Sequence, residues 1–297
     1  MFGNMGGRKV AVVTGSNKGV GFGIVRALCQ KFDGDVFLTS RDERRGRDAV
    51  RELEKEGLSP KFHQLDVTDK RSIYTIKNFL ENTYGGLDIL VNNAGISMSF
   101  HTKEEGKKVI ETNYVSIVNI SEALFPLLRP NARVVNVSSR FGNFIAVTMK
   151  QETKMKFANP NLTVKELTNL VWEYYNLFDC PNFNHKFYIG QFAYGVSKLG
   201  LNRLTSILQR NMSANQRHIL VNSCCPGYVD TDMSHHKGLL TVDQGADTAV
   251  YLALLPADKK SIAGEMVCER VVVKWDEREL HSYPLIKSMM PSLKSLL

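Results

Sequence analysis

Tyr194-Gly-Val-Ser-Lys198 sets a phenol and an ammonium four residues apart. On a helix the two side chains point the same way. A cation beside a phenol favours the phenolate and draws the tyrosine pKa down towards the range useful for proton transfer. Taken alone, this spacing fits a surface Tyr and Lys equally well. Other residues could complete a carbonyl-handling site. Ser138 and Ser139 end the apolar run 133–137, and a serine hydroxyl there could hydrogen-bond a developing alkoxide. Asn92-Asn93-Ala94-Gly95 closes a second run, and Asn113 falls within a helical stretch, where a buried amide needs a partner.

A second constellation lies near the N-terminus. Thr14-Gly15-Ser16-Asn17-Lys18-Gly19-Val20-Gly21 follows an apolar run and precedes an amphipathic stretch. Strand, glycine turn and helix together aim backbone N–H groups at a pyrophosphate, and the glycines admit it because a Cβ would block its approach. An NAD-binding fold usually presents an acid to the ribose about 20 residues further on. Here the next run ends in Thr39-Ser40-Arg41, and Asp42 comes one place late. Arg41 could take a 2′-phosphate through paired, charge-assisted bonds, and Lys18 could add a second charge, so the pattern favours NADP(H).

Positioning these groups requires a particular scaffold. Short β-branched runs at 9–13, 36–39, 61–64, 89–92, 133–137, 219–224 and 266–274 alternate with amphipathic stretches at 21–31, 43–57, 69–84, 103–128 and 191–212. Continuous rather than alternating apolar runs suit a parallel sheet buried on both faces. The pattern predicts one α/β domain, doubly wound, with a parallel seven-stranded sheet and helices on both faces. Residues 140–190 break the alternation. Within them Thr163-Val-Lys-Glu166 reads as a capping box ahead of Leu167, Leu170, Val171, Tyr174, Leu177 and Phe178 at helical spacing, an inserted helical segment. Its aromatic residues (Phe157, Trp172, Tyr174, Tyr175, Phe178, Phe183, Phe187 and Tyr188) are expected to pack rather than to form a ligand cage. Residues 276–297 form a tail in which Leu285, Ile286, Met289, Met290, Leu293, Leu296 and Leu297 fit a weak amphipathic helix.

Composition narrows the partners. The chain has 297 residues and a formal net charge of +8, with Lys and Arg scattered along helices rather than gathered between stacking aromatics, which argues against a nucleic-acid role. No apolar run approaches the length of a membrane span. Five cysteines without metal spacing read as free thiols in a reducing, cytoplasmic setting, with no metal expected. Among them Cys225 lies beside Pro226-Gly227, near the expected cofactor site; a buried, inert thiol is the plainer reading.

In the order Thr14-Gly15-x3-Gly19-x-Gly21, Asn92-Asn93-Ala94-Gly95, Asn113, Ser139, Tyr194-x3-Lys198 and Pro226-Gly227, the chain resembles the short-chain dehydrogenase/reductase family over residues 8–275. The spacing of 55 positions from Ser139 to Tyr194, far longer than most of that family carries, makes it most similar to the monomeric cytosolic NADPH-dependent carbonyl reductases. The resemblance implies a Rossmann-type fold and NADPH/NADP as cofactor. It implies a small-molecule ketone, aldehyde or quinone as substrate, and neither nucleic acid nor membrane as partner.

It also implies roles. Tyr194 would donate the proton, and Lys198 would modulate its pKa and hold the nicotinamide ribose. Ser139 would hold the carbonyl oxygen and Asn113 would position a water. Asp66, with Val67, would meet the adenine, and Asn92 the adjoining ribose. Gly15, Asn17, Lys18, Gly19, Val20, Gly21, Arg41, Ala94, Gly95, Pro226, Gly227, Val229 and Thr231 would complete the cofactor site. Phe141 and Tyr228 would border the substrate beside Ser139 and Tyr194; position 228 carries a tyrosine where those reductases tend to have tryptophan. The alternative from another class is a non-catalytic NADP(H)-binding sensor or scaffold of the same fold.

Overall fold

Val10–Val13, four apolar residues without alternation, forms β1 and is buried on both faces. The structure is a computed structural model and describes residues 7–97, 102–180, 188–214, 217–256 and 262–276. After β1 come α1 (Gly19–Lys31), β2 (Asp35–Ser40), α2 (Glu43–Lys55), β3 (Lys61–Gln64), α3 (Lys70–Tyr84) and β4 (Leu87–Asn92). Next are α4 (Lys103–Ile110), a π-helical turn Glu111–Val115, α5 (Ser116–Leu124), β5 (Leu128–Val137), α6 (Arg140–Thr148), α7 (Gln151–Ala158) and α8 (Val164–Asn176). The chain then runs through α9 (Ile189–Ser213), β6 (Leu220–Cys225), α10 (Val242–Ala253), β7 (Met266–Cys268) and β8 (Val271–Val273).

The strands form one sheet in the order β3-β2-β1-β4-β5-β6-β7-β8. All neighbours pair in parallel except β7 and β8. The fold is the expected doubly wound one, but with eight strands rather than seven. The run read as one strand over 266–274 folds back on itself. Glu269 and Arg270 adopt left-handed conformations (φ 51° and 63°) and make a two-residue turn, so Met266 pairs with Val273. That geometry usually advertises itself as Asn-Gly or Asp-Gly, and Glu-Arg gives no such sign. The helix expected over 103–128 also differs: it is interrupted by the π-helical turn and ends early, and β5 starts at Leu128.

Two apolar layers cover the sheet. One gathers α3, α4, α5, α8 and α9 into a single cluster with it, α4 and α8 packing on α9, through residues such as Ile76, Ile117, Val171 and Leu204; the other packs α1, α2 and α10 through Ile24, Leu53 and Ala249. The capping box at Thr163 and Glu166 forms and starts α8. Phe157, Tyr174 and Tyr175 are buried, and Tyr174 packs at 5.3 Å against Phe192 of α9, so these aromatics pack as expected; Tyr188, at the start of α9, is 78% exposed and does not. Phe183 and Phe187, and the tail from 277 onward, lie outside the described residues. Among the described residues no helix is long and apolar enough to cross a membrane.

Candidate active site

The order of winding reverses between β1 and β4, and a crevice at the carboxyl ends of such strands is where this architecture binds ligands. The glycine turn sits at that point. Gly15 and Gly19 take positive φ (58° and 59°), and a Cβ on Gly21 would lie 2.4 Å from Asn93 Nδ2 and 2.8 Å from the Ser16 Cα. Asn93 Nδ2 donates to the carbonyls of Thr14 (3.0 Å) and Gly15 (2.9 Å), while Thr14 Oγ1 accepts from the N–H groups of Asn93 and Ala94. Ser16 Oγ accepts from Thr39 N and donates to the Val13 carbonyl, tying the turn to β2. No side chain caps α1, so its first-turn N–H groups stay available to an anion. A phosphorylated nucleotide fits this cradle on both counts, close backbone approach and free donors.

The two cations expected at the 2′-phosphate differ in state. Arg41 is exposed just past the end of β2, and its main-chain carbonyl accepts from Gln64 Nε2. Lys18 Nζ, in contrast, is paired at 2.5 Å with Asp232, on the loop that follows β6. That loop abuts the glycine turn, since a Cβ on Gly19 would meet Thr231 Cγ2 at 3.3 Å. Asp66 accepts from Thr68 N and Oγ1 at the end of β3, next to buried Val67. Asn17 and Val20 flank Lys18 and Gly19, half-buried at the start of α1.

Asn92 behaves differently from a simple rim residue. Its carboxamide is 1% exposed and donates to Asn136 Oδ1 at 2.8 Å; Asn136 in turn donates to Thr205 of α9. Its side chain thus joins β4, β5 and α9 inside the protein. Asn113, on the π-helical turn, also spends its carboxamide on protein. Oδ1 accepts from Ile96 N (2.8 Å), and Nδ2 donates to the Ile96 carbonyl (3.0 Å) and to Ser197 Oγ (3.3 Å). Gly95 packs against it, and Ala94 against Gly15.

Ser139, Tyr194 and Lys198 come together at the ends of β5 and β6. Ser139 is the N-cap of α6, accepting from Phe141 N at 3.1 Å, and its side chain is hydrogen-bonded to Tyr194. Lys198, one helical turn on, places Nζ 5.6 Å from the centroid of the Tyr194 ring and donates to the Val137 carbonyl at 2.9 Å. Helices α6 and α9 can approach this closely because Gly142 and Gly195 face the contact: a Cβ on Gly142 would lie 2.5 Å from Leu199 N. Burial pushes the Tyr194 phenol up to about 12, the Cys225 sulfur acts the same way, and only the bond to Ser139 opposes them. Burial pulls the Lys198 ammonium down to about 8, against the Cys224 and Cys225 sulfurs. The phenol therefore lies above its ordinary range rather than below it, because desolvation outweighs the bond to Ser139, while the Lys198 ammonium is turned towards the Val137 carbonyl. A phenol so placed holds its proton at neutral pH and can give it to an oxygen that gains charge.

Phe141 closes one side, its ring 6.2 Å from that of Tyr194. After β6, Pro226 and Gly227 (φ 81°) turn the chain; Tyr228 is half-buried, and its carbonyl accepts from Leu239 and Leu240. Val229 is buried and bridges to Leu240, and Thr231 N donates to Ser234 Oγ. Sequence reasoning assigned no role to Asn93, Ser16, Asp232 or Arg140. The first two lay within motifs already noticed; Asp232 and Arg140 are brought in by tertiary folding and carry no local sign.

The family profile described as short chain dehydrogenase matches residues 9–158 and 183–239. The chain is 44% identical over 274 residues to carbonyl reductase (NADPH) 3 of Mus musculus, covering 90% of this chain and 98% of that protein. It is 45% identical over 279 residues to carbonyl reductase (NADPH) 1 of Bos taurus, with the same coverage of 90% and 98%. Among solved structures, salutaridine reductase from Papaver somniferum superposes with a TM-score of 0.77 at 29% identity, covering 87% of this chain and 99% of that one. Menthone neomenthol reductase from Mentha piperita gives 0.75 at 30% identity, covering 88% and 99%.

Proposed function

Since the chain belongs to the short chain dehydrogenase family, we propose that it reduces small carbonyl compounds with NADPH, using Tyr194 as the proton donor. The observation that carries this reading is the hydrogen bond between Ser139 and Tyr194, with Lys198 beside them, at the carboxyl edge of the sheet. The relatives named as NADPH carbonyl reductases over almost their full length support the reaction class and the cofactor.

NADPH bound at the glycine turn supplies the hydride. The turn from Gly15 to Gly21, the first-turn N–H groups of α1 and the cations of Lys18 and Arg41 bind its phosphates. Asp66, Val67, Ala94 and Gly95 would line the nucleoside side, with the inward-turned Asn92 holding the strand end beneath them, and Pro226, Gly227, Val229 and Thr231 would flank the cofactor from the loop after β6. Ser139 Oγ donates to the substrate oxygen and fixes it near the Tyr194 hydroxyl, so that oxygen meets a donor placed before charge develops. Tyr194 then transfers its proton to that oxygen. Lys198 supplies positive charge beside the emerging phenolate and holds the end of β5. Asn113 locks the segment after β4 to α9 and thereby acts as a positioning residue, with a water held nearby for proton relay. Phe141 and Tyr228 border the substrate, which favours flat, apolar ketones, aldehydes and quinones.

Residues 8–275 are read as one domain with 140–190 as its insert. Helices α7 and α8 cover the flank of α9 through Phe157, Val171 and Tyr174, which supports a monomer, and free thiols support a cytoplasmic setting. The test is NADPH oxidation, followed by absorbance, against a panel of ketones, aldehydes and quinones with NADH in parallel. Turnover with NADPH is expected. Tight NADPH binding without turnover of any member would favour the non-catalytic sensor instead, and a tight dimer on sedimentation would overturn the monomer.

A further inference from the structure

Strands β6 and β7 set two cysteines opposite each other. Cys225 and Cys268 are direct register partners in a parallel pair, so both side chains leave the sheet on one face. Cys224, one residue earlier, leaves on the other face and packs with the core under α1 and α10. The Cys225 and Cys268 thiols are hydrogen-bonded to each other and form a small buried cluster with Met266 and Val273. Neighbouring strands in a sheet hold their Cα atoms about 5 Å apart, within the span a disulfide bridges.

The two sulfurs are not equivalent. The backbone N–H groups of Arg140 and Gly227 point at the Cys225 sulfur, and the Arg140 guanidinium adds positive charge. Together with the Cys268 thiol they hold Cys225 below the ordinary thiol range in spite of its burial. The same pairing and burial push Cys268 up. One sulfur is thus poised as a nucleophile, and the other waits as a neutral thiol beside it. The approach is short: half-buried Pro226 and exposed Gly227 follow Cys225 directly at the mouth of the cleft.

We propose that Cys225 and Cys268 form a hydroperoxide-sensitive dithiol that closes reversibly to a disulfide. The Cys225 thiolate attacks one oxygen of the peroxide, the O–O bond breaks, and with one proton taken up the products are a sulfenic acid and water. The Cys268 thiol then attacks the Cys225 sulfur, the S–O bond breaks, and the hydroxyl leaves with the thiol proton as a second water. The pair of thiols loses two electrons and the peroxide gains them. The bond removes negative charge from beside Tyr194 and Lys198 and ties down the strand end before Pro226, so the oxidised protein turns over more slowly. That last consequence rests on the proposed role of Tyr194; formation of the bond does not.

The test treats the folded, full-length protein with hydrogen peroxide, blocks remaining thiols with an alkylating reagent, and maps the non-reduced digest by mass spectrometry. A peptide containing Cys225 joined to one containing Cys268 is expected, released by dithiothreitol and still formed in Cys224→Ala. In Cys268→Ser the cross-link is expected to vanish, and dimedone to label Cys225 as a sulfenic acid. Activity measured on the same samples is expected to drop several-fold on oxidation and to return on reduction. Cross-linking with unchanged NADPH turnover would overturn the effect on Tyr194 and keep the dithiol. The dithiol itself is overturned if Cys225 remains alkylatable after peroxide, if it over-oxidises with Cys268 still free, or if the cross-link joins Cys224 instead. Mapping the wild-type protein decides this even if a variant fails to fold.

Discussion

The ammonium of Lys198 donates to the main-chain carbonyl of Val137, the last residue of β5, at 2.9 Å. One side chain therefore both faces the reaction centre and clamps the strand that delivers Ser139. Its charge is held in a buried place, which lowers its proton affinity to a pKa of about 8. Below that value it is an ammonium; above it, a neutral amine without charge to offer a phenolate. The ratio kcat/KM is expected to be flat below about pH 8 and to fall as the pH rises further. In Lys198→Arg the fall should move to higher pH, and a profile still falling at pH 8 would refute the assignment. The stability consequence has the opposite sense. A depressed lysine pKa means the folded state binds the proton less tightly, so this group's contribution is present in strong alkali and is lost as the pH falls through about 8.

Tyr194→Phe removes one oxygen from a ring already packed near Phe141. The protein is expected to keep its melting temperature and NADPH affinity while turnover falls by about 10²- to 10⁴-fold, the usual worth of a positioned proton donor. Stopped-flow rates combined with fluorescence titration separate these quantities. Full turnover in this variant would remove Tyr194 from the mechanism.

The two cations at the glycine turn make separate predictions. Charge-assisted bonds to a phosphate contribute about 1.5–3 kcal/mol, so Arg41→Ala is expected to weaken NADPH binding by roughly 10- to 150-fold and leave NADH almost unchanged. Asp232→Asn frees Lys18 from an exposed ion pair whose worth is small, and is expected to tighten NADPH by at most about fivefold. Calorimetric titration with both nucleotides checks each; equal loss of NADH and NADPH affinity in Arg41→Ala would refute the 2′-phosphate contact.

Gly142→Ala places a Cβ 2.6 Å from the Lys198 carbonyl carbon and 2.5 Å from Leu199 N, both backbone atoms that cannot swing aside. Helix α6 must move off α9, at a cost of about 1–3 kcal/mol. Because Ser139 caps α6 and Tyr194 stands on α9, kcat is expected to fall with the melting temperature while NADPH affinity holds. An unshifted kcat would show that the Ser139–Tyr194 distance tolerates this movement.

These residues also show what a sequence discloses. The glycine turn and the Thr163 capping box are local patterns, and each takes its expected form, whereas the role of Asp42 as the cap of α2 goes unread. Tyr194 and Lys198 share a helix, so their proximity follows from spacing alone. The sign of the Tyr194 shift does not, because it depends on how deeply packing buries the ring. Lys18 meets Asp232 across 214 positions and Cys225 meets Cys268 across a strand pair, and nothing in either neighbourhood announces the partner. The turn at Glu269 and Arg270 was hidden for another reason: those two residues are poor formers of the left-handed backbone they adopt.

The π-helical turn at Glu111–Val115 gives the helix one residue more than a regular ladder would hold. Residues before and after it are consequently out of phase. That surplus lets Asn113 reach Ile96 and Ser197 while its neighbour Tyr114 faces Thr168 at 3.0 Å. Loss of a single residue here would close the wide turn into a regular one, leaving the flanking faces nearly in register but turning Asn113 away from Ile96 and Ser197 or Tyr114 away from Thr168. The segment thus tolerates side-chain exchange at several places but no change of length, an indel constraint that ordinary helices within a sheet-flanking layer do not carry.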